Sequence, residues 1–178
     1  MYIFVNIVVV IMLEVINTKE REKKMLYIIV PIHSELKSIW KKMLKITKHT
    51  FPKAKIIRIM DTESRGKGWA VRKGLERALR LSQHDNDLFA YIDGDLDIHP
   101  VMLKRLRKKI KDYDIVVGKK RLKNIPIMRK LITFISRIYI EKMFKIGVDT
   151  QTGIKIFKKK AITLVKRNGF LFDIAMLK

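Results

Sequence analysis

The chain has no cysteine, which excludes a disulfide framework, a cysteine-ligated zinc or iron–sulfur centre and a thiol nucleophile. Histidine is scarce as well: four residues scattered along 178 offer no cluster for a histidine-ligated metal. Acidic residues are few, 17 against 40 Lys and Arg, which leaves a formal net charge of +23. No stretch reaches the roughly 20 consecutive apolar residues that a membrane-spanning helix needs. Yet 48% of the residues are hydrophobic, so the chain is no disordered basic tail. Its length suits one domain with a core that needs no disulfide or structural metal. The charge predicts an anionic partner: nucleic acid, a membrane surface or a phosphorylated small molecule. Bias toward lysine accounts for part of the excess.

Residues 2–16 are almost all apolar, interrupted by Asn6 and Glu14, and a charged run follows from Lys19 to Lys24. A secretory signal would carry its positive charge before the apolar stretch and small residues after it. Neither is present. The β-branched run Ile7-Val8-Val9-Val10-Ile11 reads as a buried parallel strand, with a weak membrane anchor or an untranslated leader as alternatives. Residues 1–24 are thus set apart as strand or anchor plus charged linker. Residues 25–178 form a single domain, and Met25 is a possible start.

Further along, apolar runs at Leu26–Ile32, Lys55–Met60 and Leu88–Ile92 predict strands, as does 114–117. Helical spacing marks 35–49, Lys67–Leu81 and 101–111. Strands that alternate with helices and are each near-continuously apolar predict an α/β fold with a mostly parallel sheet and helices on both faces. Ligands of such sheets bind beyond the carboxyl ends of the strands.

Two segments after strands carry chemistry. Asp93-Gly94-Asp95-Leu96-Asp97 places three carboxylates within five residues of a strongly basic chain. Clustered carboxylates repel unless they share a cation, and hard oxygen ligands suit Mg²⁺ or Mn²⁺, with substrate phosphates completing the shell. Gly94 would let the chain approach such a ligand closely. The alternative is a turn whose Asp and Gly merely satisfy backbone groups. Arg65-Gly66-Lys67-Gly68 opens a helix, where exposed N–H groups and two cations offer a phosphate or carboxylate contact. Its spacing is not that of a P-loop, and a glycine-rich helix entry is a common structural feature.

In order, these fragments resemble the family 2 glycosyltransferases of GT-A fold, most closely the polyprenyl-phosphate (dolichyl-phosphate) mannose or glucose synthases. Pro31-Ile32-His33-Ser34-Glu35 resembles the Pro-x-x-Asn-Glu strand motif, with Ser34 in place of Asn. Gly66-Lys67-Gly68-Trp69-Ala70 resembles Gly-Lys-Gly-x-Ala. Asp93-Gly94-Asp95 resembles Asp-x-Asp, with Asp97 where Gln is frequent. Val116-Val117-Gly118-Lys119-Lys120-Arg121 resembles Val-Val-Gly-Ser-Arg, and Arg129-Lys130-Leu131-Ile132-Thr133 an arginine-rich acceptor segment. Asp149-Thr150-Gln151-Thr152-Gly153-Ile154-Lys155 is similar to Asp-x-x-Ser/Thr-Gly-Phe-Lys, and Gly169-Phe170-Leu171-Phe172-Asp173 to Gly-Phe-x-Phe-Asp.

The resemblance implies a GT-A, Rossmann-like sheet and metal-dependent, inverting transfer of a hexose from UDP-glucose or GDP-mannose to a polyprenyl or dolichyl phosphate. Asp93, Asp95 and Asp97 would be the catalytic and Mg²⁺ or Mn²⁺ ligands. Pro31, Glu35, Asp61, Arg65, Lys67 and Asp93 would bind the nucleotide sugar. Arg121, Arg129, Lys130 and Thr133 would grip the acceptor phosphate. The 125–148 segment, apolar with interspersed Arg and Lys, fits a basic amphipathic helix lying in an anionic membrane interface. The expected location is therefore cytoplasmic and peripheral, at the inner face of the membrane.

The chain departs from the family pattern between Pro31 and Gly66, where there is no room for the usual two βα units. Either one unit is deleted and Asp61 contacts the nucleotide base, or the first strand is residues 3–11 and Leu26–Ile32 is the second. Residue identity favours the first arrangement. The count of elements favours the second, which is the topology expected. Ala175 stands where the family has Glu, and the chain is C-terminally short against that pattern. A degenerate, non-catalytic relative is therefore an alternative. A basic nucleic-acid-binding protein is a less favoured one, because it leaves the carboxylate triplet unexplained.

Overall fold

The computed structural model describes residues 5–9, 24–33, 37–120 and 152–162, together with positions 128, 132, 134, 135, 138 and 142. Four expected elements are found with the expected bounds: strands β2 (Leu26–Ile32), β3 (Lys55–Met60) and β4 (Leu88–Ile92), and helix α2 (Lys67–Leu81). Around them lie β1 (Val5–Val9), α1 (Lys37–Thr50), α3 (Met102–Lys109), β5 (Ile115–Lys120), β6 (Ile154–Lys158) and a short helix at Lys159–Ile162.

The described strands form one sheet in the order β1-β5-β6-β4-β2-β3. β2 pairs in parallel with both β3 and β4. Beyond β4 the pairings of β6, β5 and β1 are all antiparallel. The expectation of a mostly parallel sheet therefore holds only for the β3-β2-β4 core. Continuous apolarity marks a strand covered on both faces, and that property does not depend on its direction.

β1 is a strand, as expected, but it lies at the edge, antiparallel to β5 through Val5↔Lys120 to Val9↔Val116. It is thus not the first parallel strand of the sheet core. That place belongs to β2, so the arrangement favoured by residue identity replaces the one favoured by counting elements. The reason is local: a β-branched run specifies extended backbone and leaves its neighbour to be chosen by whichever sheet edge is open.

Side-chain alternation distributes the core to both faces. Tyr27 and Ile29 of β2 and Phe89 and Tyr91 of β4 meet Val71, Leu75 and Ala78 of α2. On the other face, Ile28, Val30, Ala90 and Ile92 meet Trp40 and Met43 of α1 and Leu103 and Leu106 of α3. Helices therefore cover both faces, as the apolar strands demand. Tyr27 and Phe89 stack with ring centroids 5.3 Å apart, which locks the register of neighbouring strands.

Within the expected amphipathic segment, positions 128, 132, 134, 135, 138 and 142 are helical. Met128, Ile132, Phe134, Ile135 and Ile138 are all exposed. Among the described residues no helix is long and apolar enough to cross a membrane.

Candidate functional site

From β2 the chain crosses through α1 to β3 on one side, then returns through α2 to β4 on the other. The reversal creates a switch point between β2 and β4, where open α/β sheets bind ligands. The β2–β4 ladder stops at Ile29↔Tyr91, whereas β2–β3 continues to Ile32↔Met60. His33, Asp61 and Asp93 follow the carboxyl ends of β2, β3 and β4.

Asp61 builds the turn into α2. Its side chain is 1% exposed, and its two oxygens accept the backbone N–H groups of Arg65 (2.9 Å) and Gly66 (2.7 Å). Its own N–H donates to Ile32 O at 2.8 Å, which ties the turn to β2. His33 Nδ1 lies 3.7 Å from Asp61 Oδ2. Burial pushes this carboxyl up. The two backbone donors, with His33 and Arg65 nearby, outweigh burial and hold it below the usual aspartate range. Both Asp61 oxygens thus accept from the turn, which gives this residue a positioning task. Gly66, which caps α2, has φ +94° and ψ 159°, a region essentially restricted to glycine.

Lys67, in the first turn of α2, reaches Asp93: Nζ to Oδ2 is 2.9 Å. The same ammonium lies 5.6 Å from the centre of the Tyr91 ring. Asp93 is held from below by β6, its N–H donating to Gly153 O at 3.0 Å. Gly153 is required by close approach, since a Cβ there would lie 1.9 Å from Asp93 Oδ2. Asp93 Oδ1 and the neighbouring Thr152 Oγ1 are buried and have no hydrogen-bond partner among the described residues. Burial pushes the Asp93 carboxyl above its usual range, against the attraction of Lys67.

Beneath this pair sits a residue whose role sequence reasoning missed. Lys155 is fully buried in β6, its ammonium 2.6 Å from Tyr91 Oη and 3.2 Å from Thr152 O. A buried lysine needs partners of this kind, and its charge counters that of Asp93. The signal was a lysine inside the otherwise apolar run Ile154-Lys155-Ile156-Phe157.

The other expected residues fall as follows. Asp95 and Asp97 are exposed, and Asp95 Oδ1 accepts the Asp97 N–H at 2.9 Å. Between them Leu96 adopts φ +64°. Among the described residues no three metal-type side chains converge, so the triplet is not a preformed three-carboxylate cage. Gly94 packs on β2, its Cβ position 3.0 Å from Pro31 O, so its smallness serves strand packing. Pro31 itself is a buried β2 residue at this contact. Arg65 is engaged by Glu63 through Nε at 3.0 Å and lies 4.8 Å over the Trp69 ring. Glu35, Arg121, Arg129, Lys130 and Thr133 lie outside the described residues.

The fold and site define an α/β protein with a carboxylate–ammonium pair at the switch point of a mixed sheet. No family model matches the sequence. It is similar to an uncharacterized protein of Methanocaldococcus jannaschii, 32% identical over 133 residues, covering 68% of this chain and 57% of the relative. The chain thus spans little more than half the length of that relative.

Proposed function

We propose that this chain is a nucleotide-sugar-dependent glycosyltransferase of GT-A type that moves a hexose to a polyprenyl phosphate. The observation that carries the reading is Asp93. It is held at the switch point with one oxygen on Lys67 and the other buried, with no hydrogen-bond partner among the described residues. The likeness of the Gly-Lys-Gly turn, the Asp-x-Asp segment and the Thr-Gly-x-Lys segment to family 2 motifs supports it, since all three meet at this point.

In this reading the acceptor phosphate oxygen attacks the anomeric carbon, a new C–O bond forms, and the nucleoside diphosphate leaves with the electrons of the broken C–O bond. Asp93 and Asp95 would hold Mg²⁺ or Mn²⁺, which would offset charge gathering on the leaving diphosphate. Lys67 supplies a second cation at the same place and orients the diphosphate. Asp61 keeps the Gly66 turn in shape, so that Lys67 and the first N–H groups of α2 face the crevice. An acceptor phosphate is already anionic at neutral pH, so no strong general base is required. The exposed Met128, Ile132, Ile135 and Ile138, spaced by three and four residues, suit a helix that lies on a membrane where a lipid phosphate resides.

The test is transfer of labelled sugar from UDP-glucose and GDP-mannose to a short polyprenyl phosphate with Mg²⁺ or Mn²⁺. Wild type should transfer and Asp95→Asn should not. Equal inactivity of both would favour a non-catalytic relative.

A further inference from the structure

At the opposite, amino-terminal edge of the sheet lies a cavity of about 530 Å³. Its apolar lining comes from Leu26, the first residue of β2, and from Phe51, exposed Pro52 and Ala54 in the turn before β3. Leu26 and Phe51 are buried and Ala54 is half-buried. Six cations surround it: Lys24, Lys53, Lys104, Arg107, Lys108 and Lys111. All six are exposed, and none forms an ion pair with a carboxylate among the described residues.

Cations near the last turn of α3 complement the helix dipole. That effect does not extend to Lys104, in the first turn of α3, nor to Lys24 and Lys53, which come from just before β2 and the turn before β3. Six like charges gathered around one hollow repel one another unless an anion joins them. The hollow itself has the size of a small-molecule site, and its lining is apolar as such sites are. We propose that this cavity binds an organic phosphate ester with an apolar tail, the phosphate on the cationic rim and the tail against Leu26, Phe51 and Ala54. The proposal does not depend on the glycosyltransferase reading, since the Asp93 site lies at the other end of the strands.

Octyl phosphate titrated into the full chain below its micelle threshold should bind saturably at one site. Inorganic phosphate and the neutral octyl glucoside should each bind at least about tenfold more weakly, because each lacks one half of the recognition. The variant Lys104→Gln/Arg107→Gln/Lys108→Gln/Lys111→Gln should lose about tenfold or more in affinity. A control removing equal charge elsewhere, Lys37→Gln/Lys41→Gln/Lys42→Gln/Arg77→Gln, should stay within about twofold. Equal losses in the two variants would overturn the proposal in favour of long-range charge alone. So would equal affinity for octyl and inorganic phosphate, or an oligonucleotide that needs the four α3-side cations while octyl phosphate does not bind. Flotation with phosphatidic acid vesicles distinguishes the sources. Given saturable octyl phosphate binding, vesicle binding lost in the first variant supports a lipid phosphate, and vesicle binding unchanged supports a free ester.

Discussion

Alanine at Gly153 probes the site without touching an expected ligand. The new Cβ would lie 1.9 Å from Asp93 Oδ2, 2.5 Å from Cγ and 3.2 Å from Cβ. Ordinary C···O contacts are about 3.3 Å, so the carboxylate must retreat by roughly 1.4 Å. A retreat of that size breaks the 2.9 Å pair with Lys67. Overpacking a tight site costs about 1–3 kcal/mol. The lost pair adds at most about 1 kcal/mol, because its side chains are 39% and 24% exposed and solvent screens them. Together these come to about 1–4 kcal/mol, and at roughly 2–4 °C per kcal/mol for a chain of this size the unfolding midpoint should fall by about 2–16 °C. Circular-dichroism melts of Gly153→Ala, Asp93→Ala and the double variant isolate the cause. With Asp93→Ala only the Cβ contact remains, so most of the Gly153→Ala penalty should vanish, a coupling of about 1–2 kcal/mol. An equal penalty in both backgrounds would show that the clash is not with the Asp93 carboxylate.

Other perturbations give outcomes of definite sign. Burial disfavours the ionised Asp93, so Asp93→Asn should raise the melting temperature at neutral pH and, under the proposed function, abolish sugar transfer. Its advantage should shrink as pH falls through the raised Asp93 value, where the acid is already neutral in the folded chain. Asp61 and Asp114 behave oppositely. Burial pushes the Asp114 carboxyl up, but Lys160 and Lys158 hold it low, as the turn N–H groups do for Asp61. The stability each contributes is fully present above the ordinary aspartate value and is lost as pH falls through the lower folded-state value. Replacing either by Asn should flatten the acid limb of a stability–pH curve, and a curve of unchanged slope would contradict the assigned partners. At Gly66 there is open space for a side chain, so the cost of Gly66→Ala is backbone strain alone, about 1–3 kcal/mol. Gly66→Asn should cost nearly as much in denaturant melts, because φ +94° with ψ 159° is not the left-handed conformation that Asn tolerates.

Local pattern predicted the pieces better than their arrangement. β2, β3, β4 and α2 were legible because each is a continuous apolar run or a helical stripe with a turn signal at its end. β6 was less legible, since Lys155 interrupts its apolar pattern and the burial of that lysine on Tyr91 depends on the neighbouring β4. The neighbour and direction of β1 depend on which edge of the sheet was open, a tertiary fact absent from residues 2–16. The acidic segment was correctly placed at a strand end. Its three carboxylates still did not gather, because Asp95 closes a turn onto Asp97 N–H and Leu96 is turned into positive φ. An aspartate after a strand looks the same in sequence whether it faces a ligand or the N–H groups four and five residues ahead. Arg65 pairs with Glu63, only two residues away, a contact that the glycine–lysine motif does not display.

The central claim is that the Asp93–Lys67 pair at the switch point holds a nucleotide diphosphate. Calorimetric titration of UDP-glucose and GDP-mannose, with and without Mn²⁺, tests it most directly. One of the two should bind in a cation-dependent manner, weaken at least about tenfold in Asp93→Ala, and be unchanged by the four glutamine substitutions around the far cavity. Binding that ignores both the cation and Asp93, or no binding of either nucleotide sugar, would contradict the account.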